Sequence, residues 1–315
     1  MGIPTISAGR FFKAEMEGRL SEANPILDFE DWPFHTMCRT YDLQTTVTDS
    51  GGSATAYLGG TKTGTGIIGL TGAVRPKSCR RYAPEERVES VLEAAMEAGM
   101  ATGIVTTSRV THASPAGAFA HTASRNWESD RKALLDLLAF EEAIRVGTKM
   151  VNLKETLVIV TADHSHSMLF GGQPDRKRSL LELNTELDRH ILDGKGMLPL
   201  MYTSGPAGAV NTTRLNLSAL SNPTLHGTNF QQPTFIPLPW ATHGGEDVGV
   251  YATGVFSYLF HSTVDNTFIG QSMKYALCLR PFEMEPHCPA CGFTPSLLIL
   301  VVSFMFSRFM LFQWC

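Results

Sequence analysis

The strongest constraint on the fold is an apolar run that is continuous rather than alternating. Thr156-Leu157-Val158-Ile159-Val160 follows a helical stripe that starts near Arg131 and ends at Gly147. A strand that is apolar at every position is typical of a sheet covered by helices on both faces. The pattern predicts an α/β fold, a three-layer α/β/α sandwich with a mainly parallel central sheet.

Two further patterns support this architecture. A helix is predicted to open at Pro84 and end near Gly99, and a short buried strand is predicted over residues 103–107. Val248 to Ala252 is predicted as a strand, and a helix is predicted from Thr267 through Tyr275. Because ligands bind beyond the carboxyl ends of strands in such sheets, a site is expected at that edge.

Composition limits the partners and the compartment. The 315 residues carry a formal net charge of −4, so no basic face for nucleic acid is predicted. Met1 to Leu20 is interrupted by charges and has no apolar core, so this chain shows no signal peptide. The glycosylation sequons at Asn211 and Asn216 favour a secreted chain.

The chain is predicted to consist of one domain and a tail. Residues 1–280 form the domain, and residues 204–239, rich in small polar residues and proline, form a surface loop insertion. Residues 281–315 form a tail whose apolar run, Ser296 to Ser307, is short for a membrane-spanning helix. This run fits either the discarded tail of a lipid-anchor signal or a buried terminal helix.

Carboxylate and imidazole groups follow the apolar strand directly. Asp163, His164 and His166 stand at its end, and these are natural zinc ligands. Neighbouring strand residues face opposite ways, so adjacent ligands require a turn here. A polar strand end with a capping aspartate is the alternative. His243 precedes a glycine pair and a strand, and fits a loop histidine as well as a ligand.

Asp49-Ser50-Gly51 precedes a run of small residues and reads as a helix start. A serine at this position lies in the positive end of the helix dipole and near free N–H groups, which suits a nucleophile or a bound phosphate. A plain capping serine is the commoner structure.

One further stretch offers hard-metal and phosphate ligands. His112 and Ser114 fit metal ligands or groups behind such ligands. The planar fork of Arg125 fits a phosphate group.

Five ordered segments together resemble the signatures of the alkaline phosphatase family, over residues 1 to about 279. They are Asp49 to Leu58, Val110 to Gly117, His121 to Asp130, Thr161 to His166 with Gly171-Gly172, and Thr242 to Val248. The resemblance implies hydrolysis of phosphate monoesters at a site with two zinc ions and one magnesium ion.

The resemblance also implies roles for the groups that meet substrate. Ser50 would be the nucleophile that forms a phosphoserine intermediate, with Asp49 supporting it. Arg125 would bind the substrate phosphate. One metal would lower the pKa of the attacking oxygen, a second would stabilise the leaving oxygen, and the arginine would spread the phosphoryl charge.

The resemblance assigns the metal ligands as well. Asp163 and His164 would hold one zinc together with Ser50, and His166 would lie behind these ligands. His243 would hold the other zinc. Magnesium would bind Ser114, with His112 beside it.

The chain departs from the family at two places. The family carries a bridging aspartate in a Gly-Asp-Gly-Met-Gly turn, and Met1 to Thr5 resembles the residues that follow that aspartate. Between Asp130 and Arg131 the family has a long stretch with a magnesium-binding glutamate and an Asp-x-x-x-His zinc pair. A catalytic zinc normally has three protein ligands, so the incomplete set predicts little or no activity.

Alternative functions remain open beside this prediction. The chain could be a non-catalytic phosphate- or metal-binding relative, or a splice fragment. A sister enzyme such as a sulfatase or phosphodiesterase is less favoured, given Asp49-Ser50 and the spacing to Arg125. The resemblance further implies a homodimer and a place at the extracellular face of the plasma membrane, held by a glycosylphosphatidylinositol anchor, or secretion.

Overall fold

The computed structural model describes residues 2–21, 24–78, 80, 82–104, 106, 112–121, 123, 134–185, 190–209, 213–226, 230–288 and 298–304. The chain divides into two compact units. One consists of Asp28–Ser165 and Gly245–Cys315, and the other of Gly2–Leu27 and His166–Gly244. The predicted domain boundary at residue 280 stays a prediction.

Helices and strands alternate along the described chain. The helices are α1 (Ile3–Met16), α2 (Ser50–Gly59), α3 (Val91–Glu97), α4 (Ala113–Ala116), α5 (Leu134–Met150), α6 (Asn222–Leu225) and α7 (Thr267–Ala276). The strands are β1 (Phe34–Arg39), β2 (Thr156–Ala162), β3 (Ser165–His166), β4 (Met168–Phe170), β5 (Leu200–Gly205), β6 (Thr234–Pro237), β7 (His243–Gly244), β8 (Val248–Gly254), β9 (Thr263–Asp265) and β10 (Leu298–Phe304).

The first unit is built on a five-stranded sheet in the order β10-β2-β8-β1-β9. The pairs β10–β2 and β1–β9 are parallel, whereas β8 runs antiparallel to both β2 and β1. The α/β class is confirmed, but the described sheet is mixed rather than mainly parallel. The reason is physical: a continuous apolar run reports burial on both faces and carries no information on strand direction. All seven residues of β2 are indeed buried.

The helices of this unit follow their capping signals. α2 begins at Ser50 behind Asp49 and ends at Gly60, whose φ of 70° is the left-handed conformation that glycine adopts freely. The predicted helix at Pro84 begins later, at Val91, because Ser90 and Glu93 form a reciprocal capping box there. Residues 84–86 form only a 3₁₀ turn.

The strand predicted over residues 103–107 is not found in its described part. Residues 103 and 104 are exposed coil, and residues 105 and 107 lie outside the described chain. The helix near Arg131 and the helix from Thr267 are confirmed as α5 and α7 over their described residues.

The second unit carries its own small sheets. β4, β5 and β6 form a three-stranded sheet, β3 pairs with β7, and α1 packs against β4. The predicted loop 204–239 contains α6 and β6, and Leu217 and Leu225 are buried there against Leu198. The polar composition of the segment concealed these elements, because its buried leucines pack against Leu198, which lies outside the segment.

The apolar tail takes part in the first unit's sheet. Residues 298–304 form β10, which pairs with β2 over seven residue pairs, Leu298 with Thr156 through Phe304 with Ala162. α5 contacts this strand as well. Within the described chain, no helix is long and apolar enough to cross a membrane.

Shortening the chain to end after Pro295 should expose the edge of β2. Each lost ladder hydrogen bond is worth roughly 1 kcal/mol, so we expect the free energy of unfolding to fall by several kcal/mol. Urea unfolding and hydrogen exchange of the β2 amides measure this loss. A chain ending after Phe304 is the matched control, and equal stability of the two shortened chains would contradict the role of β10.

Candidate active site

The end of β2 delivers a buried carboxylate and an imidazole. The chain bends at Asp163, as expected if two neighbouring side chains are to point to the same site. Asp163 and His164 are both buried. One carboxylate oxygen of Asp163 accepts a hydrogen bond from Ser114 Oγ at 2.9 Å, and the other accepts one from the His164 N–H at 3.1 Å. The bend therefore brings the side chains of Asp163 and His164 to the same buried site at the end of β2.

α2 places Ser50 at its first turn. The carboxylate of Asp49 accepts hydrogen bonds from the N–H groups of Gly51 (2.9 Å) and Gly52 (3.1 Å), and also from Gly66 (2.6 Å). The expectation of free N–H groups beside Ser50 is thus wrong for Gly51 and Gly52. Their donors are used by the helix cap, so they cannot also hold a phosphate.

Ser50 and His164 form a direct pair. Ser50 Oγ lies 3.0 Å from His164 Nε2, and His164 Nδ1 lies 2.6 Å from the Ser165 carbonyl oxygen. A carbonyl can only accept, so Nδ1 carries the proton. In the neutral ring Nε2 then presents its lone pair to Ser50, which is the state that accepts a proton or binds a metal ion.

The charge of Asp163 is stabilised by its neighbours. Burial raises the pKa of this carboxyl, but the positive charge that His164 carries when its ring is protonated, together with the hydrogen bond from Ser114, outweighs burial. The pKa of Asp163 is therefore held well below its usual range. An ionised carboxylate in a buried place is what a cation site requires.

α4 reaches this site through a close helix contact. A Cβ at Gly117 would lie 2.6 Å from the Cβ of Ala54 in α2, so only glycine allows this approach. The contact places Ser114 within reach of Asp163. His112 is buried at the start of α4.

Four supporting residues escaped the sequence prediction. Ser53 donates its hydroxyl proton to the Asp163 carbonyl oxygen at 2.5 Å, and Asn266 Nδ2 donates to Ser53 Oγ at 3.1 Å. Ser165 donates to the carboxylate of Glu246 in a short hydrogen bond. The spacing of Ser53 three residues after Ser50 was the one available signal, because such residues share a helix face.

His166 and His243 lie in the second unit and meet there. Their rings are 5.4 Å apart, edge to face. Thr242, the residue before His243, is held by two hydrogen bonds. Its carbonyl oxygen accepts from the Ser167 N–H at 3.0 Å, and its N–H donates to Ser204 Oγ at 3.1 Å.

The described atoms near Ser50 fit a zinc ion in their spacing. His164 Nε2 lies 3.4 Å from Asp163 Oδ2 and 3.0 Å from Ser50 Oγ. Tetrahedral zinc with ligands at about 2.0 Å separates its ligand atoms by roughly 3.3 Å, so these two distances fit a single coordination sphere. Arg125, the predicted phosphate ligand, lies outside the described residues.

Another candidate metal group in the described chain does not fit. Cys278, His287 and Cys288 lie close together, but the two cysteines form a disulfide. Their sulfur atoms are therefore not available as thiolate ligands. Cys291, which follows at Cys-x-x-Cys spacing, lies outside the described chain.

Replacing Ser114 by alanine should make the site more sensitive to acid. The variant removes a hydrogen bond to a charged, buried group, worth about 1.5–3 kcal/mol, so the pKa of Asp163 rises. A depressed pKa contributes stability that is lost as pH falls through it, so the acid unfolding midpoint should move to higher pH. Acid unfolding in the presence of a chelator, followed for wild type and Ser114→Ala, measures this shift. Ser21→Ala, at an exposed position, is the control. Equal unfolding midpoints for wild type and Ser114→Ala would contradict the role of Ser114.

The sequence matches one protein family. Its model, described as alkaline phosphatase, matches residues 1–136 and 131–279. The tissue-nonspecific isozyme of alkaline phosphatase from Gallus gallus is 24% identical over 469 aligned positions, which cover 96% of this chain and 88% of the chicken protein. The membrane-bound alkaline phosphatase of Bombyx mori is 24% identical, and its alignment covers 96% of this chain and 83% of the Bombyx mori protein.

Solved structures share the fold. The alkaline phosphatase of Thermus thermophilus aligns with a TM-score of 0.58 and 17% identity, over 89% of each chain. That of the Antarctic bacterium TAB5 aligns with a TM-score of 0.55 and 15% identity, over 88% of this chain and 94% of that chain, and a mutant of it holds magnesium. With the family model matching most of its length, this chain belongs to the alkaline phosphatase family, whose members are phosphoric monoester hydrolases.

Proposed function

We propose that this chain binds phosphate monoesters at Ser50 and hydrolyses them slowly, through a phosphoserine intermediate. The observation that carries the proposal is the contact of Ser50 Oγ with His164 Nε2 at 3.0 Å, beside the ionised Asp163. Zinc bound there would lower the pKa of the Ser50 hydroxyl and neutralise phosphoryl charge.

The residues of the chain have distinct tasks in this proposal. Asp163 and His164 would hold a zinc ion together with the Ser50 oxygen. Ser50 attacks phosphorus, the alcohol leaves, and water then releases phosphate from the serine. Arg125 binds the phosphoryl oxygens through its planar fork. Ser114 would hold magnesium with His112 beside it, His243 would hold a second zinc, and His166 would support the ligands Asp163 and His164.

Slow turnover follows from the ligand count. Near Ser50 the described residues contain no group of three carboxylate, imidazole or thiolate ligands, since Asp163 and His164 stand with serines only. The two family matches meet at residues 131–136, which supports a missing ligand segment between Asp130 and Arg131. The 469 aligned positions also exceed the 315 residues of this chain.

This same ligand count favours a second candidate, a non-catalytic phosphate- or metal-binding relative. Such a protein would keep the Asp163–His164 pair for one zinc ion without completing the second metal position. Tight binding of a single zinc ion without turnover would support it.

We also infer an extracellular location and a homodimer. The relative from Bombyx mori is named as membrane-bound, and the sequons at Asn211 and Asn216 support export. A lipid anchor attached near residue 290 would require removal of the tail. That removal competes with β10, so anchored and unprocessed chains should differ in their sheet.

Zinc titration of the purified chain tests the proposed hydrolysis. We expect zinc affinity weaker than that of the chicken relative by more than about 100-fold, because ligands are missing. Slow hydrolysis of a chromogenic phosphomonoester should saturate with zinc and magnesium. Ser50→Ala should abolish both this hydrolysis and transfer of labelled phosphate to the protein, whereas Ser21→Ala should change neither.

Either of two results would contradict the proposal. Zinc-dependent turnover equal to that of the chicken relative would refute the predicted loss of metal ligands. Hydrolysis that persists in Ser50→Ala would refute the nucleophile.

A further inference from the structure

The peptide unit that joins Asp163 to His164 is bound at both of its polar atoms. Its carbonyl oxygen accepts the hydroxyl proton of Ser53 at 2.5 Å, and its N–H donates to Oδ1 of Asp163 itself at 3.1 Å. A peptide unit is planar, so the direction of this carbonyl sets the orientation of the Cα atoms on both sides of it. Ser53 therefore acts on the positions of both side chains through the backbone that they share.

α2 contacts these two residues at two points, one helical turn apart. Ser50 Oγ lies 3.0 Å from the His164 ring, and Ser53, three residues later on the same face, meets the peptide unit. Ser53 has a single hydroxyl proton, and a carbonyl can only accept, so this proton is committed to Asp163. Any further hydrogen bond of Ser53 must be accepted by its oxygen.

Asn266 supplies the donor that the Ser53 oxygen accepts. Its Nδ2 lies 3.1 Å from Ser53 Oγ, and the direction of the amide follows from the chemistry, because an amide oxygen would need a hydroxyl proton that is already used. The three groups form a directed chain from amide to hydroxyl to carbonyl. Hydrogen bonds in such a chain polarise one another, so the amide strengthens the bond that Ser53 makes.

The side chain of Asn266 gives up its usual task for this contact. Asn266 is the N-cap residue of α7, a position where asparagine commonly accepts a hydrogen bond from the helix, but it makes no such bond. Its Oδ1 is buried, and no described donor reaches it. A buried acceptor without a donor destabilises a folded chain, so this arrangement serves something other than the stability of α7.

Close packing fixes the position of Asn266. A Cβ at Gly270 of α7 would lie 2.6 Å from the backbone nitrogen of Gly60 at the end of α2, so only glycine allows this approach of the two helices. Gln271 Nε2 donates to the Gly60 carbonyl at 3.1 Å, and the Asn266 N–H donates to the Arg39 carbonyl at 3.2 Å. The donor end of the chain is therefore tied to β1 and, through α7, to α2.

We propose that Ser53 and Asn266 are positioning residues, which hold the Asp163–His164 peptide unit in the orientation that brings both side chains to one zinc ion. This inference rests on the proposed function, which places zinc on these two side chains. Removal of a group that supports metal ligands typically weakens metal binding by about 10- to 100-fold. Ser53 acts on the backbone of the ligands, so its effect should lie near the lower end of that range.

Zinc binding by the full chain tests the proposal. The dissociation constant for zinc is measured by competition with a chromophoric chelator, for wild type, Ser53→Ala, Asn266→Ala and the variant with both changes. Bound cobalt gives a second readout, because the intensity of its visible absorption depends on coordination geometry. Ser272→Ala is the matched control, since Ser272 is also a buried helical serine but its hydroxyl has no described hydrogen-bond partner.

We expect a specific pattern of effects. Ser53→Ala should weaken zinc binding about 10-fold, and Asn266→Ala about 3- to 5-fold, because the second change removes only the donor to Ser53. Asn266→Ala should have no further effect when Ser53 is already alanine, since the amide acts through that hydroxyl. The cobalt absorption should change in Ser53→Ala and stay as in wild type in Ser272→Ala.

Urea unfolding of the metal-free chains separates positioning from folding. Alanine is favoured inside a helix, so Ser53→Ala keeps α2. Asn266→Ser is a second variant at the other position, because serine can cap α7 but its side chain is too short to reach Ser53. Asn266→Ser should therefore weaken zinc binding as Asn266→Ala does.

The outcomes separate this inference from the proposed function. If wild type and Ser53→Ala bind zinc equally, if the effects of the two single changes add in the double variant, or if Ser272→Ala weakens zinc binding as much as Ser53→Ala, the positioning role is overturned while the zinc site stands. If the wild-type chain binds no zinc, the proposed metal site is wrong, and the positioning role falls with it.

Discussion

A buried, ionised carboxylate at the end of β2 is the constraint on which the site depends. Asp163 is only 1% exposed, and a charge in that place is tolerated only when donors surround it. The Ser114 hydroxyl and the His164 N–H supply those donors, and the Ser53 hydroxyl holds the Asp163 carbonyl. Each donor belongs to a different element, so the carboxylate and the carbonyl oxygen of this one residue connect α2, α4 and the bend after β2.

The first turn of α2 carries Ser50, but two of its backbone N–H donors are used by the helix cap. Asp49 takes the N–H groups of Gly51 and Gly52, so the helix start offers Ser50 its dipole and few free hydrogen bonds. Charge on a bound phosphate must then be balanced by side chains and metal ions. In the proposed function this task falls to Arg125 and the metal ions.

The sequence predicts helices and strands whose signals lie within a short stretch of chain. It does not predict contacts between residues that are far apart in the chain. The apolar run of β2, the Asp49 cap and the stripes of α5 and α7 were all readable, and so was the cluster of Asp163 and His164. The direction of β8 and the pairing of β10 were not, since strand partners are chosen across the sheet. Asn266 and Glu246 were missed because each supports the site through a second residue from far along the chain.

Hydrogen bonds within the chain connect Ser50, His164 and Asp163 to their neighbours. Ser50 meets His164, Ser114 meets Asp163, and Ser165 fixes the ring through its carbonyl, all between groups of the chain itself. All of these groups lie in the first unit, so the fold of that unit sets the position of Ser50. Under the proposed function, missing ligands would lower metal affinity and leave Ser50 in place, so folding and catalysis would be separable properties of this chain.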